Sequence, residues 1–172
     1  MMLVVLTPPD HVERVCYQAQ DRLWQLHGLV SSRALPPLIA LGRLETPPVD
    51  TLLTVLDGIE LEPFRLDTVQ PVGDTYAAPL QPATAGHLLR GRILGDADTR
   101  LPGMLPLEAL FLGCLERPGL PDHPLGTEPL WPLPIRTATV AVIEIAAAEG
   151  DFWWQTVAWR IIGEHKLTAA SR

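Results

Sequence analysis

The stretch LIALGRLETP (Leu38–Pro47) recurs as ALFLGCLERP (Ala109–Pro118), the mark of an internal duplication. The two segments coincide at Leu41/Leu112, Gly42/Gly113, Leu44/Leu115, Glu45/Glu116 and Pro47/Pro118, 71 residues apart. Leucine is abundant in the chain, so the weight falls on the Gly, Glu and Pro matches in fixed register. Each segment is an apolar run closed by a charge and a proline, the pattern of a buried strand ending at a turn. Upstream, LVVLTPPD (Leu3–Asp10) corresponds to YAAPLQPA (Tyr76–Ala83), 73 residues on. Each half then runs strand, proline, helix, loop, repeated strand. This predicts one domain over residues 1–172 with an internal duplication, the halves lying at about 2–72 and 74–167.

The remaining elements follow from periodicity and punctuation. Asp10, with Glu13 three residues on, reads as a capping box opening a helix. Val12, Val15, Cys16, Ala19, Leu23 and Leu26 share one face of it, and His27-Gly28 ends it. Val49–Leu56 and Ala83–Leu94 read as helices. Pro63–Val72, Thr75–Leu80 and Leu107–Leu115 read as strands, and 117–134 as a long loop. Ile135–Ala146 and Phe152–Ile162 are expected to be strands joined by a turn at Glu149-Gly150-Asp151. The fold class is therefore α/β, with two pseudo-symmetric lobes of mainly antiparallel strands around a cleft and helices on the outer faces.

Composition narrows the function classes. A chain of 172 residues, 47% hydrophobic and 19% charged, can bury a core. No apolar run approaches the roughly 20 residues that cross a bilayer, and the opening MMLVVLTPPD lacks a basic n-region. A soluble, cytoplasmic protein without a membrane partner is the expectation. The net charge of −7 argues against bulk duplex DNA binding, which needs Lys and Arg against phosphates, but leaves room for a small basic pocket holding one nucleotide. Cys16 and Cys114 read as buried free thiols. Nothing in the sequence sets the oligomeric state.

Two strand–helix–strand halves of this size, the first strand ending in Pro-Pro and the last two strands closing the chain, resemble the 2H phosphoesterase superfamily. That superfamily includes the bacterial RNA 2′,3′-cyclic phosphodiesterases once called 2′-5′ RNA ligases. The resemblance implies two lobes around a cleft, each lobe supplying a strand with His-x-Thr or His-x-Ser. Set on this sequence, the first motif falls on Leu38-Ile39-Ala40-Leu41 and the second on Ala109-Leu110-Phe111-Leu112. Leu38 and Ala109 stand where the histidines belong, and Ala40 and Phe111 where the hydroxyls belong. In such a site the imidazoles act as general base and acid across a cyclic phosphate, and the polar groups stabilise the charge on phosphoryl oxygens. Leucine, alanine and phenylalanine do neither. The resemblance thus implies a remnant cleft with no catalytic residues.

Other candidates are weaker. The five histidines (His11, His27, His87, His123, His165) show no metal-ligand spacing, and no metal or cofactor is implied. His123 could supply a shifted second motif but lacks the following Thr. Cys114, opposite Arg43 in the first copy, has no local base to make it a nucleophile. Glu45 and Glu116 could face each other as an acid/base pair. Gly86, Gly91 and Gly95 match no phosphate loop. Phe152-Trp153-Trp154 with Trp159 offers an aromatic face that could stack a base or a partner side chain, with Arg160 beside it. Arg43, Arg65, Arg136 and Arg160 sit on predicted strands. Arg136, Trp154, Arg160 and His123 are the candidate ligand contacts. The reading is a non-catalytic 2H phosphoesterase-like protein with a binding or structural role, RNA or nucleotide being the candidate partner. The alternative is an active phosphoesterase on 2′,3′-cyclic phosphate ends, working through substituted residues.

Overall fold

Most of the apolar runs form strands where the sequence places them. The computed structural model describes residues 1–44, 49–95, 105–126, 131–148 and 153–169. In chain order the elements are β1 (Met2–Thr7), α1 (Asp10–His27), a 3-10 turn (Val30–Arg33), β2 (Leu38–Leu44) and α2 (Val49–Leu56). Then come β3 (Phe64–Leu66), β4 (Gln70–Val72), β5 (Thr75–Gln81), α3 (Thr84–Leu94), β6 (Ala109–Cys114), β7 (Leu133–Ile135), β8 (Thr137–Ala146) and β9 (Ala158–Thr168).

The strands form one curled antiparallel sheet in the order β7-β3-β5-β6-β2-β1-β8-β9, with β4 on β5. It has two groups of strands, β9-β8-β1-β2 and β6-β5-β3-β7, that meet where Leu38 pairs with Phe111 and Ile39 with Leu110. The closing hairpin β8–β9 lies beside β1, so the β9-β8-β1-β2 lobe draws strands from both ends of the chain and the β6-β5-β3-β7 lobe from its middle. In both repeated strands the ladder slips at the same place. Val4 pairs with Gly42 and Val5 with Ala40, which makes Leu41 a bulge; Tyr76 pairs with Gly113 and Ala77 with Phe111, which bulges Leu112. The glycine after each bulge lets another element approach closely. A Cβ at Gly42 would stand 2.6 Å from Leu94 Cδ1, and one at Gly113 would stand 3.3 Å from Ser32 Cβ.

Strand alternation divides the core into two clusters. On the helix side, Val4, Leu6, Ile39, Leu41, Leu110 and Leu112 pack against Val12, Cys16, Ala19 and Leu23 of α1. On the concave side, Leu3, Val5, Leu38, Ala40, Phe111, Ala141 and Ile143 pack with Leu35, Leu105 and Trp153. Where the lobes meet, Glu108 has a φ of 56° and is fixed by Arg90 at 2.9 Å.

Three local expectations are corrected. Helix α1 has Pro9, not Asp10, at its N-cap, and the Pro9 carbonyl accepts from Val12 and Glu13 at 2.8 and 2.9 Å. With its cap role gone, the Glu13 side chain is free to face elsewhere. Pro63–Val72 is two short strands interrupted at 67–69. The last strand runs Ala158–Thr168, whereas Trp153–Gln155 is a 3-10 turn, so Trp153 and Trp154 do not alternate along a strand with Trp159. The proposed turn at 149–151, like Phe152, lies outside the described residues.

Candidate functional site

The two repeated strands bring the four motif positions to the concave seam between the lobes, and packing seals them there. Leu38, Ala40, Ala109 and Phe111 are at most 2% exposed. Leu38 and Phe111 are cross-strand partners. Trp153 packs over Phe111 with ring centroids 6.2 Å apart, and Trp154 meets Trp153 edge-on at 6.0 Å and 81°. An aromatic ring buried this way contributes through lost water contact and ring–ring geometry together. A phosphate brought to Phe111 would have to displace that packing and would find no donor among the four side chains.

Cys114 belongs to the same buried cluster. Burial pushes its thiol up to about 12, and the Ser31 contact offsets only part of that. Cys16 is likewise pushed up to about 12, mainly by burial and then by Glu13. Neither thiol is a thiolate near neutral pH, so neither is a ready nucleophile. A thiol-reactive dye at pH 8 should therefore label the native protein at less than about a tenth of the rate seen in denaturant. Rapid labelling of either cysteine in the folded state would contradict this.

The candidate ligand contacts are not gathered. Arg160 on β9 is bound to Glu144 at 2.5 Å, near the far end of β8 from Arg136. Eight residues of strand separate Arg136 from Glu144, roughly 25 Å, so the two arginines cannot hold one small anion. Trp154 is half-buried in the 3-10 turn, and His123 is exposed in the loop after β6. Arg43 on β2 and Arg65 on β3 are exposed and lie in different lobes. Glu116 has a structural partner, its carboxylate accepting from the Ser31 backbone N–H at 2.5 Å; Glu45 lies outside the described residues. His27 Nε2 contacts the Pro124 carbonyl at 2.8 Å, and His87 Nδ1 accepts from Arg90 at 2.8 Å. Among the described residues no cluster of three or more His, Cys, Asp or Glu could hold a metal ion.

Beside the sealed seam, the β9-β8-β1-β2 lobe carries an open groove of about 380 Å³ that was not among the expected sites. Val5 and Leu38 lie beneath it. Ile143, Ile161 and Trp159 form an apolar side, Thr7, Thr137 and Thr139 add hydroxyl-bearing residues, and Glu164 and Lys166 stand on β9. One end is closed by Asp10, Glu13 and Tyr17 of α1. These three fall at i, i+3 and i+7, one helical stripe away from the buried Val12, Cys16 and Leu23. That spacing was a usable signal, but Glu13 read more simply as a cap. Burial, and then Asp10, hold the Glu13 carboxyl above its ordinary value. Among the described residues no helix is long and apolar enough to cross a membrane.

This arrangement has solved counterparts: the fold is that of LigT and related phosphoesterases. The structure of Escherichia coli LigT complexed with 3′-AMP aligns over 97% of this chain and 97% of that one, with a TM-score of 0.58 and 13% identity. A Thermus thermophilus protein aligns over 99% of both chains (TM-score 0.53, 13% identity), and a structure described as a phosphoesterase aligns over 97% and 98% (TM-score 0.54, 12% identity). E. coli LigT has also been solved with ATP and with NADP+. No protein-family model matches the sequence, and no curated protein matches it. At this identity the likeness is one of fold.

Proposed function

We propose that this chain is a non-catalytic relative of the 2H phosphoesterases that arose by internal duplication and binds a small ligand without cleaving it. The observation that carries the proposal is the burial of Leu38, Ala40 and Phe111 in an apolar seam with Trp153, Ala109 also being buried on β6. Proton transfer and oxyanion stabilisation both need polar groups within hydrogen-bond reach of the phosphorus centre, and these side chains supply none. The matching bulges at Leu41 and Leu112, each before a closely packed glycine, support the duplication. The 3′-AMP, ATP and NADP+ complexes of LigT support a binding role, since the fold accommodates small molecules in that protein.

Incubation with 2′,3′-cyclic AMP at micromolar enzyme should give no product above a heat-treated control. The two catalytic imidazoles typically contribute 10²–10⁴-fold each, so loss of both leaves a rate below ordinary detection. Hydrolysis that co-purifies with the protein and disappears on Trp153→Asp would establish the phosphoesterase alternative instead.

A further inference from the structure

The groove on the β9-β8-β1-β2 lobe differs in charge from a phosphate site. Its lining has three carboxylates, Asp10, Glu13 and Glu164, against one ammonium, Lys166. Among the described residues none of these four has an ion-pair partner. The lining of the groove is therefore net negative, with Arg14 reaching the Asp10 carbonyl from outside it, whereas Arg33, Arg90, Arg92 and Arg160 are matched to carboxylates elsewhere. The partial positive charge at the start of α1 does not reverse this sign, because Asp10 and Glu13 occupy that first turn.

The same groove displays apolar surface that folding has left uncovered. Trp159, Ile161 and Tyr17 are 41, 50 and 43% exposed, and all three line it. Tyr17 stands one helical turn from Glu13, an aromatic ring beside a carboxylate where an organic cation gains from ring face and opposite charge at once, and Trp159 extends the apolar surface along β9. A volume of about 380 Å³ suits a small molecule or one side chain, not an extended chain.

We infer that this groove binds a small organic cation, an ammonium or guanidinium carried on an apolar body, with Glu13 and Glu164 facing the charge and Trp159 and Tyr17 the body. The inference rests on the non-catalytic binding reading and supplies its ligand class. The apolar body would cover Ile143, Ile161 and Trp159, while the threonine residues keep the floor polar enough for one donor to remain hydrogen-bonded.

The test compares three soluble probes by calorimetry on the full chain at pH 7 and low salt: 2-phenylethylammonium, its neutral counterpart 2-phenylethanol, and adenosine monophosphate. The cation should bind at least about tenfold tighter than the alcohol, and the nucleotide more weakly than either. Glu13→Gln combined with Glu164→Gln should bring the cation and alcohol within about twofold of each other, with an unchanged circular dichroism spectrum. Both carboxylates are at the surface of the groove, so the amides leave packing intact; Trp159→Ala should weaken the cation and the alcohol alike. Equal binding of cation and alcohol, or no binding of the cation up to 10 mM, about the weakest affinity such a calorimetric titration resolves, overturns the inference. Tighter binding of the nucleotide also overturns it, yet leaves the non-catalytic binding reading standing. Turnover of 2′,3′-cyclic AMP sinks that reading whatever the titration shows.

Discussion

Phe111→Ala should lower the unfolding free energy by about 3–5 kcal/mol, the range for deleting a buried aromatic ring. Phe111 has no exposed surface, pairs across the lobe junction with Leu38 and meets Trp153 at a tilt of 46°, so both neighbours lose contacts at once. For a chain of this length each kcal/mol shifts the melting temperature by roughly 2–4 °C, so a drop of about 10 °C is expected by scanning calorimetry. Trp159→Ala is the contrasting control. Its ring lies in the open groove and should cost no more than about 1 kcal/mol, near the range of surface substitutions. A Phe111→Ala loss below about 1 kcal/mol would mean that the seam is not packed, and that the motif positions face water after all.

The apolar face of the repeated strands was legible in the sequence, because strand alternation puts Leu38 with Ala40 and Ala109 with Phe111, but whether that face lined an open cleft was not. What covers the face was not legible. Trp153 arrives from a 3-10 turn that the aromatic run Phe152-Trp153-Trp154 disguised as a strand. The true last strand is polar over Gly163–Lys166, because β9 is an edge strand with both faces largely exposed and has no alternation to read. The pairing of β8 with β1 joins Met2 to Glu144, and no local pattern encodes a contact of that sequence separation. The groove was missed for a related reason. Its residues come from α1, β1, β2, β8 and β9, and only the Asp10, Glu13, Tyr17 stripe was visible within one element.

Writing a histidine back at the first motif position, Leu38→His, should destabilise the fold in a pH-dependent way and confer no phosphodiesterase activity. The side chain has no exposed surface and packs in the cluster of Leu35, Phe111 and Trp153 beneath the groove, so desolvation disfavours the charged imidazole there. Its folded pKa is then depressed below the unfolded value of about 6.5. The sign follows from proton linkage. Above pH 6.5 both states hold a neutral ring, and the cost is that of a buried polar group without a partner, about 1–3 kcal/mol. As pH falls through 6.5 the unfolded chain takes up a proton that the folded one refuses. The deficit relative to wild type therefore grows by about 1.4 kcal/mol per pH unit until the folded pKa is reached. Urea unfolding of both proteins at pH 8.0 and 5.5 measures this directly. An open, hydrated cleft would instead leave the difference between the two proteins constant with pH, because a solvated histidine titrates alike in both states. Adding Ala40→Thr, Ala109→His and Phe111→Thr deepens the loss without creating a site. Ala109→His inserts a ring into space already filled, and Phe111→Thr removes one under Trp153, with costs of about 1–3 and at least 3 kcal/mol. These overlap at the Leu38–Phe111 contact and are not strictly additive. Even so, they approach the 5–15 kcal/mol that holds a typical domain together, so the fourfold variant should be largely unfolded at 25 °C. The single Leu38→His protein remains the informative one, since it stays folded at pH 8 and reports, through its proton, whether water reaches the place where the chemistry would be.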